Sequence, residues 1–153
     1  MYPSQYGSNP LYPRSSDFKV VHKDSTVGKG VISLIDIEAD TIICALAGDI
    51  VSDIRQHTLQ ITPDEHLYDI YFTGYLLHSC DPNVYLDMEN RLAYAIKPIK
   101  KNEYLYMDYS QTEDVLFRQF PCSCGAKGCR GWITGRKEQP NEQMTDQFVV
   151  ECC

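Results

Sequence analysis

The sequence predicts a mainly β domain made of several small sheets. Short runs of β-branched and aromatic residues recur along the chain, and Gly, Pro and Asn separate them, which is typical of strands joined by tight turns. Little of the chain has the period of a helix, and nothing repeats internally. With 153 residues and 43% hydrophobic content, the chain is long enough for one core and too short for two ordinary domains.

The first half of the chain predicts an N-terminal arm and three strands. Residues 1–16 are rich in Tyr, Pro and Ser and lack an apolar period, which predicts a flexible arm. The runs 18–22 and 31–37 flank Gly28-Lys29-Gly30, a pattern that predicts a strand, a tight loop and a second strand. A further strand is predicted from Thr41 to Leu46.

The second half of the chain continues the same pattern. Residues 53–60 predict one or two helical turns, and Pro63 interrupts whatever follows. Alternation over 91–96 and the run 104–109 predict two more strands. Between them, Asn102 is expected to have a positive φ, because Asn tolerates that conformation better than most residues.

The sequence lacks the marks of a membrane or secreted protein. No apolar run approaches the roughly 20 residues of a membrane span, and the N-terminus does not have the pattern of a secretory signal. A soluble intracellular protein is therefore expected, either cytoplasmic or nuclear. The polar stretch 136–153 is predicted to be a C-terminal tail, either loose or packed back as a flap.

The formal net charge of -7 limits the classes of partner. Nonspecific nucleic-acid binding depends on Lys and Arg neutralising phosphates, so direct binding of nucleic acid is not expected. An acidic surface suits a basic partner and can steer a lysine-rich peptide into a cleft. The alternative is that modest acidity only keeps the protein soluble.

The cysteines point to a metal. The chain contains seven of them, an odd number, and a C-x-C pair is too tight for an easy disulfide. Cys122, Cys124 and Cys129 leave a tetrahedral zinc ion one thiolate short, and the nearest unused candidate is Cys80. The alternative is a set of unrelated buried thiols, which is the favoured interpretation for Cys44, Cys152 and Cys153.

Four motifs together resemble the SET domain followed by its post-SET segment. They are Gly28-Lys29-Gly30 between strands, His78-Ser79-Cys80-Asp81-Pro82-Asn83, Asp108-Tyr109 at a strand end, and the cysteine cluster that ends in Cys129-Arg130-Gly131. The resemblance runs from about Phe18 to Gly135. It implies small curved β-sheets around a pseudoknot, with a SET domain over 17–118 and a zinc-binding post-SET segment over 119–135.

The resemblance also implies an activity and a set of site residues. SET domains are lysine methyltransferases that use S-adenosylmethionine, so a lysine-containing peptide or protein, possibly a histone, is the implied substrate. Asn83 would tie the pseudoknot, and a closed site of four thiolates would hold a structural zinc ion. The implied cofactor-binding residues are Gly28, Lys29, Gly30, Val31, Tyr68, Leu77, His78 and Trp132. The implied lysine channel contains Leu46, Met107 and Tyr109.

Tyr109 is the predicted catalytic residue. Methyl transfer needs a neutral amine close to the sulfonium methyl, although a lysine with a pKa of about 10.4 is normally protonated. A buried tyrosine hydroxyl can orient that amine, and the sulfonium charge can lower its pKa. For Tyr109, as for Tyr68 and Trp132, the alternative is ordinary packing in the core.

The sequence departs from the family pattern at four positions. Gly74 and Leu77 stand where an arginine and a cofactor-binding asparagine are common, and Leu46 replaces a channel tyrosine. Met107 replaces the aromatic residue that governs how many methyl groups are added. Because specificity follows polar contacts, two alternatives stay open. They are a SET-like enzyme that acts on a small molecule or by altered chemistry, and a catalytically inactive interaction module.

Overall fold

The computed structural model describes residues 1–141, and within that range the protein is mainly β, as predicted. The single α-helix of the described part is very short, and two 3-10 turns span Ser4–Tyr6 and Thr73–Tyr75. The elements are β1 (Phe18–Asp24), β2 (Gly28–Ser33), β3 (Thr41–Ala45), β4 (Asp49–Val51), β5 (Thr58–Thr62), β6 (Glu65–Tyr68), β7 (Leu77–His78), β8 (Val84–Asp87), β9 (Leu92–Ala95), β10 (Tyr106–Met107), α1 (Tyr109–Thr112), β11 (Phe120–Pro121) and β12 (Trp132–Ile133).

The strands form five small sheets. Two antiparallel sheets have three strands each, in the orders β3-β9-β8 and β4-β6-β5, and the hairpins β1-β2 and β11-β12 are also antiparallel. Buried side chains such as Val31, Leu86, Ala93 and Leu105 join several of these sheets in one core. Strands this short can bury their apolar faces only against one another. The predicted class of fold, mainly β with small sheets, is confirmed.

The only parallel pairing among the described strands joins β7 to β10, which are far apart in the sequence. Asn83 supports this crossing on both sides. Its side-chain amide donates to the Tyr104 carbonyl at 2.9 Å, and its side-chain oxygen accepts from the Tyr106 amide at 2.8 Å. The hydrogen-bonding role implied for Asn83 is thus confirmed, and the crossing brings His78 beside Tyr109.

Two local predictions are wrong. Residues 53–60 do not form a helical turn, because Thr58 already begins β5, which pairs with β6 across the turn at Pro63. The strand predicted for 104–109 ends at Met107, since the Asp108 side chain caps a new helical turn that begins with Tyr109. In residues 53–60, pairing with β6 outweighs the local preference for helix. In residues 104–109, the cap from Asp108 outweighs the local preference for strand.

Other local predictions agree with the structure, with one shift. Asn102 has a φ of 73°, as expected for its turn. Gly28-Lys29-Gly30 forms the start of β2 rather than the loop itself, which lies just before Gly28. Gly28 has a φ of 74°, a conformation that favours glycine. This glycine therefore turns the chain into β2.

The segment predicted as an N-terminal arm contacts the domain. The Tyr2 hydroxyl donates to Asp69 at 2.7 Å, and the Ala45 amide donates to the Leu11 carbonyl at 2.8 Å. Burial and the neighbouring Asp69 carboxylate raise the pKa of Tyr2, which keeps its hydroxyl protonated. Composition alone does not reveal these contacts, because their partners, Asp69 and Ala45, are distant in the sequence.

Replacing Tyr2 with Phe is expected to lower the free energy of unfolding by about 1.5–3 kcal/mol, the usual contribution of a hydrogen bond to a charged group. Asp69 is fully buried and also accepts bonds from the amides of Tyr71, Phe72 and Thr73, so the change removes one donor from a carboxylate that water cannot reach. Urea denaturation measures the effect. Tyr6→Phe is the control, since its bond to Asp49 is exposed. Equal effects of the two changes would contradict the prediction.

The predicted tail lies mostly outside the described residues, as do Cys152 and Cys153. Within the described part, the amide of Arg136 donates to the Glu113 carbonyl at 2.9 Å, so the first residues after Gly135 pack against the domain. Cys44 is 1% exposed and part of the core, which agrees with its interpretation as a buried thiol. In the described range, no helix has the length and apolar character required to cross a membrane.

Candidate active site and metal centre

A cavity of about 470 Å³ lies beside the crossing of β7 and β10. This volume is within the usual range of about 300–1,000 Å³ for small-molecule sites. Its wall combines the start of β2, the segment before β7, the end of β10 and the start of α1. The predicted site residues that line it are Gly28, Lys29, Leu77, Met107 and Tyr109.

Tyr109 lies in the cavity wall with its hydroxyl fixed. The hydroxyl donates to the Leu76 carbonyl at 2.7 Å, and the ring contacts His78 and Phe120 edge-on. Burial raises the pKa of Tyr109, and the Glu113 carboxylate adds to the effect. The phenol therefore stays neutral, with lone pairs left to accept a hydrogen bond from a ligand in the cavity.

His78 connects Tyr109 to the cysteine cluster. Its side chain is 3% exposed, and burial lowers its pKa to about 4, so the imidazole is neutral at pH 7. Nδ1 accepts from the Tyr109 amide at 3.1 Å, which places the ring proton on Nε2, 3.5 Å from the Cys80 sulfur. The His78 side chain is thus used inside the protein, and the residue does not line the cavity.

A second connection runs through Asp108. Its carboxylate caps α1 by accepting from the Ser110 amide at 3.1 Å and forms a two-bond pair with Arg130 at 2.7 and 2.9 Å. Burial acts to raise the pKa of Asp108, but the bonds from Arg130 and Ser110 outweigh it and keep the pKa below its usual range. The residue after Cys129 therefore helps to hold the turn on which Tyr109 lies.

The structure gives a reason for the departure at Gly74. A Cβ atom there would overlap the Asp69 carbonyl oxygen and lie 2.6 Å from the His57 Cβ, so an arginine cannot occupy this position without moving the backbone. The Gly74 carbonyl also pairs with His57 Nδ1 at 2.7 Å. Nearby, Leu77 is 7% exposed and forms part of the cavity wall, which makes this wall apolar.

Besides His78, five predicted cofactor and channel residues are not part of the cavity wall. Gly30 lies behind it, where an added Cβ would be 2.8 Å from Leu77 Cδ1, and Val31 is fully buried in the core. Leu46 is also a core residue, 4% exposed. Tyr68 stacks under the Arg55 guanidinium at 5.1 Å. The Trp132 indole donates to Gln119 at 2.8 Å, so it is held within the segment around β11 and β12.

Sequence reasoning missed several residues that line the cavity. Phe120, His57, Arg118 and Glu113 line the wall, whereas Trp132 does not. A signal was present for Phe120, because the stretch 115–120 contains four apolar residues between Tyr109 and the cysteine cluster. Nothing in the sequence distinguishes Glu113 from an ordinary surface acid.

The predicted metal ligands come together. The sulfur atoms of Cys80, Cys122, Cys124 and Cys129 all lie within 4.8 Å of one another, and the Cys80–Cys122 pair is 4.0 Å apart. Tetrahedral zinc with Zn–S bonds of about 2.3 Å requires S···S separations of about 3.8 Å. A small contraction of this cluster therefore produces the geometry of a Cys₄ site.

The surroundings of the cluster suit thiolates bound to a cation. The amides of Arg130 and Gly131 donate to the sulfurs of Cys80 and Cys129 at 3.5 and 3.4 Å, contacts that typically orient metal-bound sulfur. Burial raises the pKa of Cys122 to about 12, helped by the charges of Cys80 and Cys124. Cys80, Cys122 and Cys124 carry free thiols. Thiolates at this spacing repel one another, so a bound cation would stabilise their ionised forms.

The comparison with protein families identifies the chain. Residues 28–110 match the SET domain family, which is more than half of the chain. The matched range contains the start of β2, the crossing of β7 and β10, and Tyr109. The protein belongs to the SET domain family.

Two relatives show the extent of the similarity. The chain is 29% identical over 161 residues to histone-lysine N-methyltransferase trr of Drosophila melanogaster, a match that covers 84% of this chain and 7% of trr. It is 26% identical over 174 residues to histone-lysine N-methyltransferase ASHH3 of Arabidopsis thaliana, covering 95% of this chain and 46% of ASHH3. The chain thus spans less than half the length of these curated relatives.

Solved structures confirm the fold. The crystal structure of KRYPTONITE with mCHG DNA and SAH matches with a TM-score of 0.62 and 23% identity, covering 75% of this chain and 28% of that chain. The KRYPTONITE structure with mCHH DNA, an H3(1-15) peptide and SAH has a TM-score of 0.58 and 24% identity, covering 75% and 29%. At this identity, the likeness is evidence for the SET fold alone.

Proposed function

We propose that this protein is an S-adenosylmethionine-dependent protein-lysine N-methyltransferase that acts on a peptide or protein such as a histone. The observation that carries the proposal is the position of Tyr109. Its neutral hydroxyl is bonded to the Leu76 carbonyl in the wall of a cavity that also contains Gly28 and Lys29. The relatives named as histone-lysine methyltransferases and the SAH- and H3-bound neighbours support the substrate and cofactor.

The residues of the cavity fit the cofactor. Backbone from β2 reaches the wall at Gly28 without a side chain in the way, which allows main chain to approach a ligand closely. Lys29 and Arg118 line the same cavity and supply positive charge for a carboxylate such as that of the methionine part. Leu77 and Phe120 provide an apolar wall in place of the asparagine that the family commonly has. S-Adenosylmethionine, when bound, supplies the methyl group and a sulfonium charge.

Tyr109 would act by positioning the substrate amine. A phenol that already donates to Leu76 can accept a hydrogen bond from the amine, which orients its lone pair towards the methyl group. Placing the reacting atoms in this way accounts for several kcal/mol of barrier reduction in many enzymes. Met107 lies in the same wall, and because its side chain is flexible, the number of methyl groups added stays open in this proposal.

A structural zinc ion is part of the proposal, held by Cys80 and by the cysteines of the post-SET segment 119–135. Bound there, zinc supplies a fixed cross-link between that segment and the loop after β7. The chain then holds Phe120 against the cavity, and Arg130 against Asp108. Reduced cysteines are required for such a site, which fits an intracellular location, cytoplasmic or nuclear.

A second candidate is a SET-like enzyme that acts on a small molecule. Two observations favour it: Leu77 makes the cavity wall apolar, and Leu46 is buried in the core. Both reduce the polar contacts that a lysine channel could offer its substrate. Turnover of the cofactor without a labelled protein product would support this candidate. Labelling of a protein lysine would exclude it as the main activity.

Calorimetry with zinc-loaded protein tests cofactor use. We expect S-adenosylmethionine to bind with a dissociation constant in the micromolar range, about -8 kcal/mol, because Gly28, Lys29 and Phe120 remain in the wall despite the change at Leu77. The same protein stripped of metal serves as the comparison and is expected to bind more weakly. If the zinc-loaded protein shows no binding, methyl transfer is excluded and the inactive interaction module becomes the best interpretation.

A further inference from the structure

The cavity contains a buried carboxylate that the proposed mechanism does not use. Glu113 is 6% exposed, yet it lines the cavity together with Tyr109. Its amide donates to the Tyr109 carbonyl at 3.0 Å, so the two residues are one helical turn apart. Glu113 is the only acidic residue among the described residues of the wall, whereas Lys29, Arg55 and Arg118 are basic.

The Glu113 carboxylate is held in place by β5. One of its oxygens accepts from the Gln60 amide at 2.8 Å, and the Gln60 side chain in turn bonds to Asp114. These contacts attach the three-stranded sheet β4-β6-β5 to the end of α1. The bond from Gln60 requires an oxygen atom at this position but not a negative charge, because the side-chain oxygen of a glutamine in place of Glu113 would accept the same bond.

The Glu113 carboxylate forms no salt bridge with the described residues, while the adjacent Asp114 pairs with Arg136 and Lys137. Burial raises the pKa of Glu113 even though the Gln60 bond and the charge of Arg136 act in the opposite direction. A buried carboxylate that is held by hydrogen bonds but not by a salt bridge still carries a desolvation cost, and a cation in the cavity would offset it.

We propose that Glu113 is a specificity residue that recognises the positive charge of the substrate amine as it enters the cavity. This inference rests on the proposed function, because it takes the substrate to be a lysine side chain. Glu113 attracts the ammonium group, and the phenol of Tyr109, one turn earlier, accepts a hydrogen bond from the same nitrogen. Of the two substrate classes considered above, the carboxylate favours a cationic amine over a neutral small molecule.

Substitution of Glu113 by Gln tests the inference, since glutamine preserves the Gln60 contact and removes only the charge. The probes are the H3(1-15) peptide and the same peptide with norleucine at each lysine, measured by calorimetry on zinc-loaded protein with SAH. Because SAH has no sulfonium charge, the measured preference belongs to the protein. We expect the wild type to bind the lysine peptide about tenfold more tightly than the norleucine peptide. E113Q should bind both peptides equally, because it lacks the one charged hydrogen bond that gives this preference.

Asp114→Asn is the matched control, because it removes a neighbouring acid that does not line the cavity. It should keep the tenfold preference. If E113Q still prefers the lysine peptide over the norleucine peptide, the inference is overturned. It is also overturned if the wild type shows no preference for lysine, either in this peptide or in a degenerate peptide pool with a central lysine. If the wild type transfers methyl groups and E113Q keeps the lysine preference, only this inference is wrong. If the wild type does not bind S-adenosylmethionine, the proposed function is wrong.

Discussion

Replacing Tyr109 with Phe is expected to reduce methyl transfer by about 100-fold or more and to leave S-adenosylmethionine binding unchanged. The phenyl ring keeps its edge-on contacts with His78 and Phe120, so only the hydroxyl and its bond to the Leu76 carbonyl are lost. Loss of a contact that positions the reacting atoms can cost about 100-fold in rate. Single-turnover methylation with labelled cofactor measures the loss, and calorimetry measures cofactor affinity.

A matched control separates chemistry from stability for this change. Tyr106→Phe removes a hydroxyl three residues earlier, one that accepts from Lys23 at 2.9 Å and does not line the cavity. The control should retain activity. The free energy of unfolding of Tyr109→Phe should fall by only about 1 kcal/mol, the usual value for one hydrogen bond. If Tyr109→Phe keeps nearly full activity, the tyrosine is a packing residue and the proposed mechanism is wrong.

Removing the metal is expected to have the second large effect. Purified under reducing conditions, the wild type should contain one zinc ion per chain, and Cys124→Ser should contain none, because three thiolates leave a tetrahedral site incomplete. Loss of the cross-link frees Phe120 from the cavity and Arg130 from Asp108. A displacement of about 1 Å in such contacts can reduce turnover about 100-fold, so activity should fall by at least this factor.

The location of the damage distinguishes this prediction from general unfolding. Hydrogen exchange should show loss of protection in residues 119–135, while β3, β8 and β9 stay protected, since these strands are held by the main core. Cys44→Ala is the control, because it removes a buried thiol that is not part of the cluster; it should keep its zinc. Full zinc content in Cys124→Ser, or uniform loss of protection across the chain, would contradict a closed four-cysteine site.

Residues that belong to a motif with fixed spacing could be found from the sequence. Cys122, Cys124 and Cys129 lie close together in the chain, and pairing them with Cys80 required only the count of ligands that zinc prefers. Asp108-Tyr109 and His78 were likewise found by resemblance, and the structure brings them together through the parallel pair β7-β10. The domain boundaries at 17–118 and 119–135 remain predictions.

Residues whose role depends on packing could not be found in this way. Leu46 and Trp132 were assigned to the site by alignment with family positions, but in this protein Leu46 is in the core and Trp132 bonds to Gln119. The short connection from Asp69 to β7 brings Gly74 against the Asp69 carbonyl. Such contacts depend on loop length and sheet register, which a single sequence does not specify.

The sequence by itself determined the mainly β class, the membership in the SET family and the four cysteines, because strand-turn patterns and ligand spacing are local properties of the chain. Only the tertiary structure decided which residues face the cavity. The burial of Glu113 beside Tyr109 and the attachment of the N-terminal segment through Tyr2 and Asp69 arise from contacts between distant segments. Their free energy comes from desolvation and pairing in a shared interior, which no single segment contains.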